Sequence, residues 1–201
     1  MPPAVALSRL ASSSEGGAVV VEVGAALPRF EEVYERHFGF VWRNLRRLGV
    51  AEASLDDAAQ DVFVTIHRRL AEFEGRSALT TWIFAIVLGT ARNYRRGHKR
   101  RAPERDGASP DELAAAGHGS PERRAERAEA MRLVAELLDE LDEERREVFV
   151  LAELEQLSAP EIAALLGLNV NTVYARIRAA QKAFEAALAR HRARETWRSR
   201  C

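Results

Sequence analysis

Cysteine is almost absent: the single one, Cys201, is the last of 201 residues, which excludes an intramolecular disulfide, a Cys-rich zinc site and a CxxC redox pair. A reducing compartment suits such a chain, and the cytoplasm is the expected location. No apolar run approaches the length of a membrane span. The stretch at residues 18–23 is interrupted by Glu22, and only Arg9 supplies early positive charge, so neither a signal peptide nor membrane insertion is expected. His37, His67, His98, His118 and His191 are scattered without the spacing of a metal or catalytic site, and a phosphate-binding glycine loop is missing. No enzyme, metal or cofactor is therefore expected. Strand-like alternation is nowhere sustained, which leaves an all-α fold.

Net charge is also lacking, with 30 Lys and Arg against 30 Asp and Glu, yet the charge is not evenly spread. Residues 29–101 carry fourteen basic against nine acidic side chains, residues 102–168 seven against seventeen, and residues 169–201 eight against two. Two basic blocks flank an acidic one. Basic blocks suit a nucleic-acid backbone, whose phosphates supply most sequence-independent affinity.

Residues 1–28 mix Pro, Ala, Ser and Gly without periodicity and read as a disordered tail. Phe30, Val33, Tyr34, Phe38, Val41, Leu45 and Leu48 then recur at three and four, so a helix is expected over residues 30–48, ended by Gly49. Ser54 is the expected N-cap of a second helix, with Asp57 at capping-box spacing. Its apolar stripe is Leu55, Ala58, Ala59, Val62, Phe63, Ile66 and Leu70. After the loop Phe73-Glu74-Gly75-Arg76-Ser77 a third helix begins near Leu79 and continues into Arg95 and Arg96. Seven Gly and Pro residues between Gly97 and Pro121 predict a flexible linker, with a short helical piece at residues 110–116. The remainder is helical, broken near Asp142, Ser158 and Gly167, and ends in a solvated tail at residues 191–201. The domains are accordingly placed at 29–101 and 125–190, with the linker at 102–124.

The most specific local pattern is a helix-turn-helix. Ser158 caps a helix, Pro160 sits in its first turn where the lost N–H has no partner, and Glu161 completes a capping box. Ala163 is small where a second helix must approach, and Gly167 supplies a left-handed turn. Asn169 caps the following helix, whose inner face is Val173, Ile177, Ala180 and Phe184. Its outer face offers Asn171, Thr172, Tyr174, Ala175, Arg176 and Arg178, amide and guanidinium groups suited to base edges and phosphates in a major groove.

The second helix has, besides its apolar stripe, a face bearing Asp57, Gln60, Asp61 and Val64. Two like charges one turn apart are mildly unfavourable unless a partner relieves them. The ordered motifs Asp57-Ala58-Ala59-Gln60-Asp61-Val62-Phe63, Phe73-Glu74-Gly75-Arg76-Ser77, Thr81-Trp82-Ile83-Phe84-Ala85-Ile86 and Ala91-Arg92-Asn93-Tyr94-Arg95-Arg96 resemble those of extracytoplasmic-function (group IV) RNA polymerase sigma factors of the sigma-70 family. Residues 29–101 are similar to sigma region two and residues 125–190 to region four.

This resemblance implies an alternative sigma factor that binds core RNA polymerase, recognises minus-35 and minus-10 promoter elements and promotes melting. Asp57, Gln60, Asp61 and Val64 would dock on the beta-prime coiled coil, with further contacts to the beta subunit. Phe73, Gly75, Arg76 and Ser77 would hold a flipped base of the minus-10 strand, and Arg92, Asn93, Arg95, Arg96, Lys99 and Arg100 would follow the promoter backbone. Asn171, Thr172, Tyr174, Ala175, Arg176 and Arg178 would read the minus-35 duplex. An anti-sigma factor is implied as a further partner, and the acidic linker, with Asp106, Asp111 and Glu112, would thread a basic channel. Trp82, between Thr81 and Ile83, reads as a core side chain rather than a stacking platform. Gly89, Asn93 and Ala179-Ala180-Gln181 depart from the residues common in the family. On the residues alone, a stand-alone helix-turn-helix regulator, which would bind its duplex unaided, is the alternative.

Overall fold

The computed structural model describes residues 27–100 and 121–198, and every regular element among them is helical. The N-terminal tail up to residue 26, the linker between residues 101 and 120 with its expected helical piece and acidic side chains, and Cys201 lie outside the described residues.

The first unit packs α1 (Phe30–Arg47), α2 (Leu55–Arg69) and α3 (Leu79–Arg100) around one core. In α1 the inward side chains Val33, His37, Val41 and Leu45 fall at four-residue spacing, and Trp42 and Asn44 complete the buried face. The amide nitrogen of buried Asn44 donates to Phe40 O at 3.1 Å, while its Oδ1 is buried without a partner. Leu48 closes the helix and Gly49 turns the chain at φ 82°, a conformation that favours glycine. Helix α2 buries Leu55, Ala58, Ala59, Val62, Phe63 and Ile66, so its opposite face is left to solvent. Each large side chain removed from water contributes about 1.5–3 kcal/mol before chain entropy is counted.

The second unit comprises α4 (Pro121–Asp139), α5 (Glu143–Phe149), α6 (Ala159–Leu166) and α7 (Val170–Arg198), with a π-helical turn at Val150–Leu154 extending α5. Phe149 and Phe184 stack with ring centroids 4.4 Å apart and tie α5 to α7. Ile162 and Val173 are fully buried where α6 and α7 meet.

Three local expectations differ from the structure. Ser54 occupies the N-cap position of α2, but its side chain makes no capping bond. A 3-10 turn at Glu52–Ser54 places it at φ −116°, ψ 2°, away from the extended conformation that side-chain capping requires. Helix α3 passes through Gly97 and reaches Arg100. A single glycine costs a helix about 1 kcal/mol relative to alanine, which does not by itself end it. Helix α4 begins at Pro121, since proline is well accommodated at the first helical position. Helix α7 extends to Arg198 instead of fraying after residue 190. It contains no glycine or proline, and Arg190 pairs with Glu140 in the turn between α4 and α5.

Candidate polymerase and nucleic-acid interfaces

Because α2 turns its apolar stripe wholly inward, the side chains between the stripe residues are forced outward. Asp57, Gln60, Asp61 and Val64 are all exposed on one face, and Val64 is 39% accessible, an unusual position for an aliphatic side chain. Asp61 is not merely solvated. Its Oδ2 accepts the phenolic hydrogen of Tyr94 from α3 at 2.7 Å, and Thr65 donates to its backbone carbonyl at 2.9 Å. Partial burial, and then the Asp61 carboxylate, push the Tyr94 phenol up to about 12, so it remains a donor at any physiological pH.

The loop after α2 is anchored by its own first residue. Phe73 is buried with its ring 5.4 Å from that of Trp82, which is half-buried and packed on the core as its setting suggested. Gly75 turns the chain at φ 69°, and Arg76, paired with Glu74, and Ser77 stand exposed beyond it. A rigid base with exposed polar groups at its tip can grip an unstacked base.

Along α3 the expected promoter-facing residues divide into two groups. Asn93 and Arg96 are exposed and hydrogen-bonded to each other. Arg92 and Arg95 instead reach across to the second unit. Arg92 makes a two-pronged pair with Glu147 of α5, Nε to Oε1 at 2.9 Å and Nη2 to Oε2 at 2.6 Å. Arg95 is buried, donates to Glu143 at 2.7 Å and Glu147 at 2.8 Å, and donates also to Leu48 O. The side chains of Lys99 and Arg100 lie outside the described residues.

Three further ties between the units escaped sequence reasoning. Arg47 pairs with Glu155 at 3.0 Å, and burial, only partly offset by Arg47, pushes that carboxyl above its usual range. Arg146 packs on Gly49, where a Cβ would meet its guanidinium at 1.8 Å. Val50 and Leu141, one from each unit, are both buried in the same core. The available signal was the opposition of an acidic central block to basic α1 and α3, which periodicity within one helix cannot convert into pairs.

The helix-turn-helix forms as its residues dictate. The Glu161 carboxylate accepts both the backbone N–H and the hydroxyl of Ser158, at 2.8 and 2.6 Å. Gly167 adopts φ 66°, and Asn169 Oδ1 accepts from Asn171 N at 2.8 Å. Asn171, Thr172, Tyr174, Ala175 and Arg178 are exposed on the first turns of α7. Arg176 is half-buried and paired with Glu144 at 3.0 Å, while Gln181 donates to Glu153 at 2.8 Å. Among the described residues no cluster could hold a metal ion, and no helix is long and apolar enough to cross a membrane.

The family description "Sigma-70 region 2" matches residues 33–101 and "Sigma-70, region 4" matches residues 131–184. The chain is 36% identical over 138 residues to the RNA polymerase sigma-H factor of Pseudomonas aeruginosa, covering 66% of this chain and 72% of that protein. It is 32% identical over 147 residues to the ECF RNA polymerase sigma-E factor of Escherichia coli K12, covering 68% and 74%. Among solved structures, CnrH in complex with the cytosolic domain of CnrY aligns over 80% of this chain and 87% of that one, with a TM-score of 0.56 and 29% identity. RpoE of Bartonella quintana, in complex with the anti-sigma factor NepR, aligns over 80% and 96% with a TM-score of 0.61 and shares the fold at 18% identity. Two helical units in this order, the second a helix-turn-helix, are the regions two and four of a sigma-70-type transcription initiation factor. The chain belongs to the extracytoplasmic-function sigma factors of that family.

Proposed function

We propose that the protein binds core RNA polymerase through the outer face of α2, captures the minus-10 strand with the loop after α2 and the basic face of α3, and reads the minus-35 duplex with the start of α7. The observation that carries this reading is the α2 face. Asp57, Gln60, Asp61 and Val64 are exposed together opposite the buried stripe of the helix, and Tyr94 fixes the Asp61 carboxylate. A pair of acids, one of them held in place, beside an exposed aliphatic side chain suits a basic, partly apolar partner such as the beta-prime coiled coil. The anchored loop and the α7 face supply contacts to an unstacked strand and to a duplex, respectively. Two units divide these tasks at residues 29–101 and 125–190, with the segment between them spanning the two promoter elements. CnrH, aligned with this chain, is solved in complex with the cytosolic domain of CnrY, and the sigma factor RpoE, which shares the fold, in complex with an anti-sigma factor; both favour an anti-sigma partner here as well.

In vitro transcription with core polymerase and a promoter library tests the reading. The wild-type chain is expected to give specific transcripts and Asp61→Arg to abolish them together with core binding. If the wild-type chain neither binds core nor supports a specific transcript where another sigma factor works, the reading fails. Specific duplex binding by the free protein, unaffected by core, would instead favour the stand-alone regulator.

A further inference from the structure

The guanidinium groups of Arg92 and Arg95 both reach α5, and Arg95 donates in addition to Leu48 O of its own unit. In the free chain they are committed to α5: Glu147 is gripped by both, Glu143 by Arg95, and the side chains of Arg95 and Glu147 are only 8% and 5% accessible. Glu143 and Glu147 lie one helical turn apart on one face of α5, so their carboxylates present two anionic groups in a row, the charge pattern a nucleic-acid backbone presents to a basic helix. The contact is reinforced on either side by Arg47 with Glu155 and by Arg146 against Gly49.

A carboxylate as buried as Glu147 is tolerated only while its charge is paired, and separating the units returns both charges to water. Burial costs and pair formation largely cancel in such contacts. An interface of this kind is specific without being strongly favourable, which suits one that must open.

We infer that α5 is an internal competitor for promoter DNA, its Glu143 and Glu147 standing in for phosphates on Arg92 and Arg95 and holding the two helical units of the free chain together. Closure itself needs no assumption about function. The identity of the displaced ligand as a promoter strand rests on the function proposed above. Strand binding along α3 and closure onto α5 are mutually exclusive, because the same guanidinium hydrogens serve both. The inference also accounts for the position of Arg95, which is buried in the closed chain although it lies in the basic run of α3.

Full-length protein with Cys201→Ser, labelled with a donor and an acceptor at Glu35→Cys and Glu185→Cys on exposed positions of α1 and α7, tests the inference by energy transfer and by binding of a fluorescent mixed-sequence single-stranded 20-mer. The parent chain is expected to show high transfer that falls as oligonucleotide is added. Glu143→Gln with Glu147→Gln is expected to show low transfer before any addition and to bind the strand about tenfold more tightly. Its salt dependence should steepen by roughly 1.4, about 0.7 for each of two guanidinium groups released. Glu143→Asp with Glu147→Asp, which keeps both charges, should retain high transfer, and helical circular dichroism of the glutamine variant equal to that of the parent separates loss of the contact from loss of folding. Low transfer in the parent chain overturns closure, and a glutamine double variant with unchanged transfer overturns the role of Glu143 and Glu147 in it. An opened double variant with unchanged strand affinity overturns the competition. Failure to transcribe with core polymerase while transfer and strand affinity remain linked would sink the proposed function and leave the closure standing.

Discussion

Tyr94 of α3 donates its phenolic hydrogen to Asp61 of α2 across 2.7 Å, joining the helix proposed to meet the polymerase to the helix proposed to meet DNA. The bond leaves Asp61 Oδ1 available to a partner and holds the carboxylate in one rotamer. Tyr94→Phe removes the bond and almost nothing else. A hydrogen bond to a charged group contributes about 1.5–3 kcal/mol, and solvent exposure brings this one down to about 1 kcal/mol. Core polymerase should therefore bind the variant about fivefold more weakly in a fluorescence titration, with its helical circular dichroism unchanged. Equal affinity of the two proteins would show that Asp61 needs no positioning.

His37 gives the first unit a dependence on pH. Its imidazole is buried in α1, near the ring of Phe40, and burial first, then the charge of Arg36, lower its pKa from 6.5. A group whose folded value is depressed contributes stability that is fully present above its unfolded value and lost as pH falls through the folded one. Thermal melts should thus show a transition temperature that is level above pH 6.5 in this respect and declines below it. His37→Gln, which cannot take up the proton, should flatten that part of the decline.

Much of this architecture is legible in the residues. The three- and four-residue spacing in α1 and α2, the capping box at Ser158 and Glu161, and the left-handed Gly167 are local rules, and the structure follows each of them. Ser54 shows where a local rule fails, since the turn preceding it sets the backbone before the side chain can cap. The outward placement of Asp57, Gln60, Asp61 and Val64 also followed from the stripe between them. The partners of Arg92 and Arg95 did not. A guanidinium 52 residues from its carboxylate is paired by the docking of two units, and no periodicity within α3 or α5 encodes that docking. The phenol on Asp61 escaped for the same reason, lying 33 residues away.

The helix-turn-helix should respond to its caps before it responds to its core. Ser158→Ala deletes the hydroxyl held by Glu161 and removes part of the box, a loss of about 1 kcal/mol. Gly167→Ala forces a Cβ into φ 66°, which costs roughly 1–2 kcal/mol. Urea unfolding followed by Trp197 fluorescence is a poor probe, since that side chain is 70% exposed, so far-ultraviolet dichroism is the measurement of choice. Unchanged midpoints in both variants would mean that the turn is held by packing of Ile162 and Val173 alone.

On α7 the two kinds of DNA contact should separate by salt. Arg178 is exposed, and as a phosphate contact its loss in Arg178→Ala should weaken every duplex alike and reduce the salt slope by about 0.9. Asn171 is also exposed on the first turn, where an amide can pair with a base edge. Asn171→Ala should then cost about 1–3 kcal/mol on the preferred minus-35 duplex, little on others, and leave the slope intact. Arg176 is the intermediate case, because Glu144 already holds it at 3.0 Å. It can reach DNA only by giving up that carboxylate, so Glu144→Gln should raise duplex affinity and steepen the slope, and Arg176→Ala should cancel both effects. The readout is duplex affinity of the core-bound protein at several salt concentrations. A Glu144→Gln variant indistinguishable from wild type would show that Arg176 remains a strut between α5 and α7 when DNA is bound, leaving Arg178 as the phosphate contact of that turn.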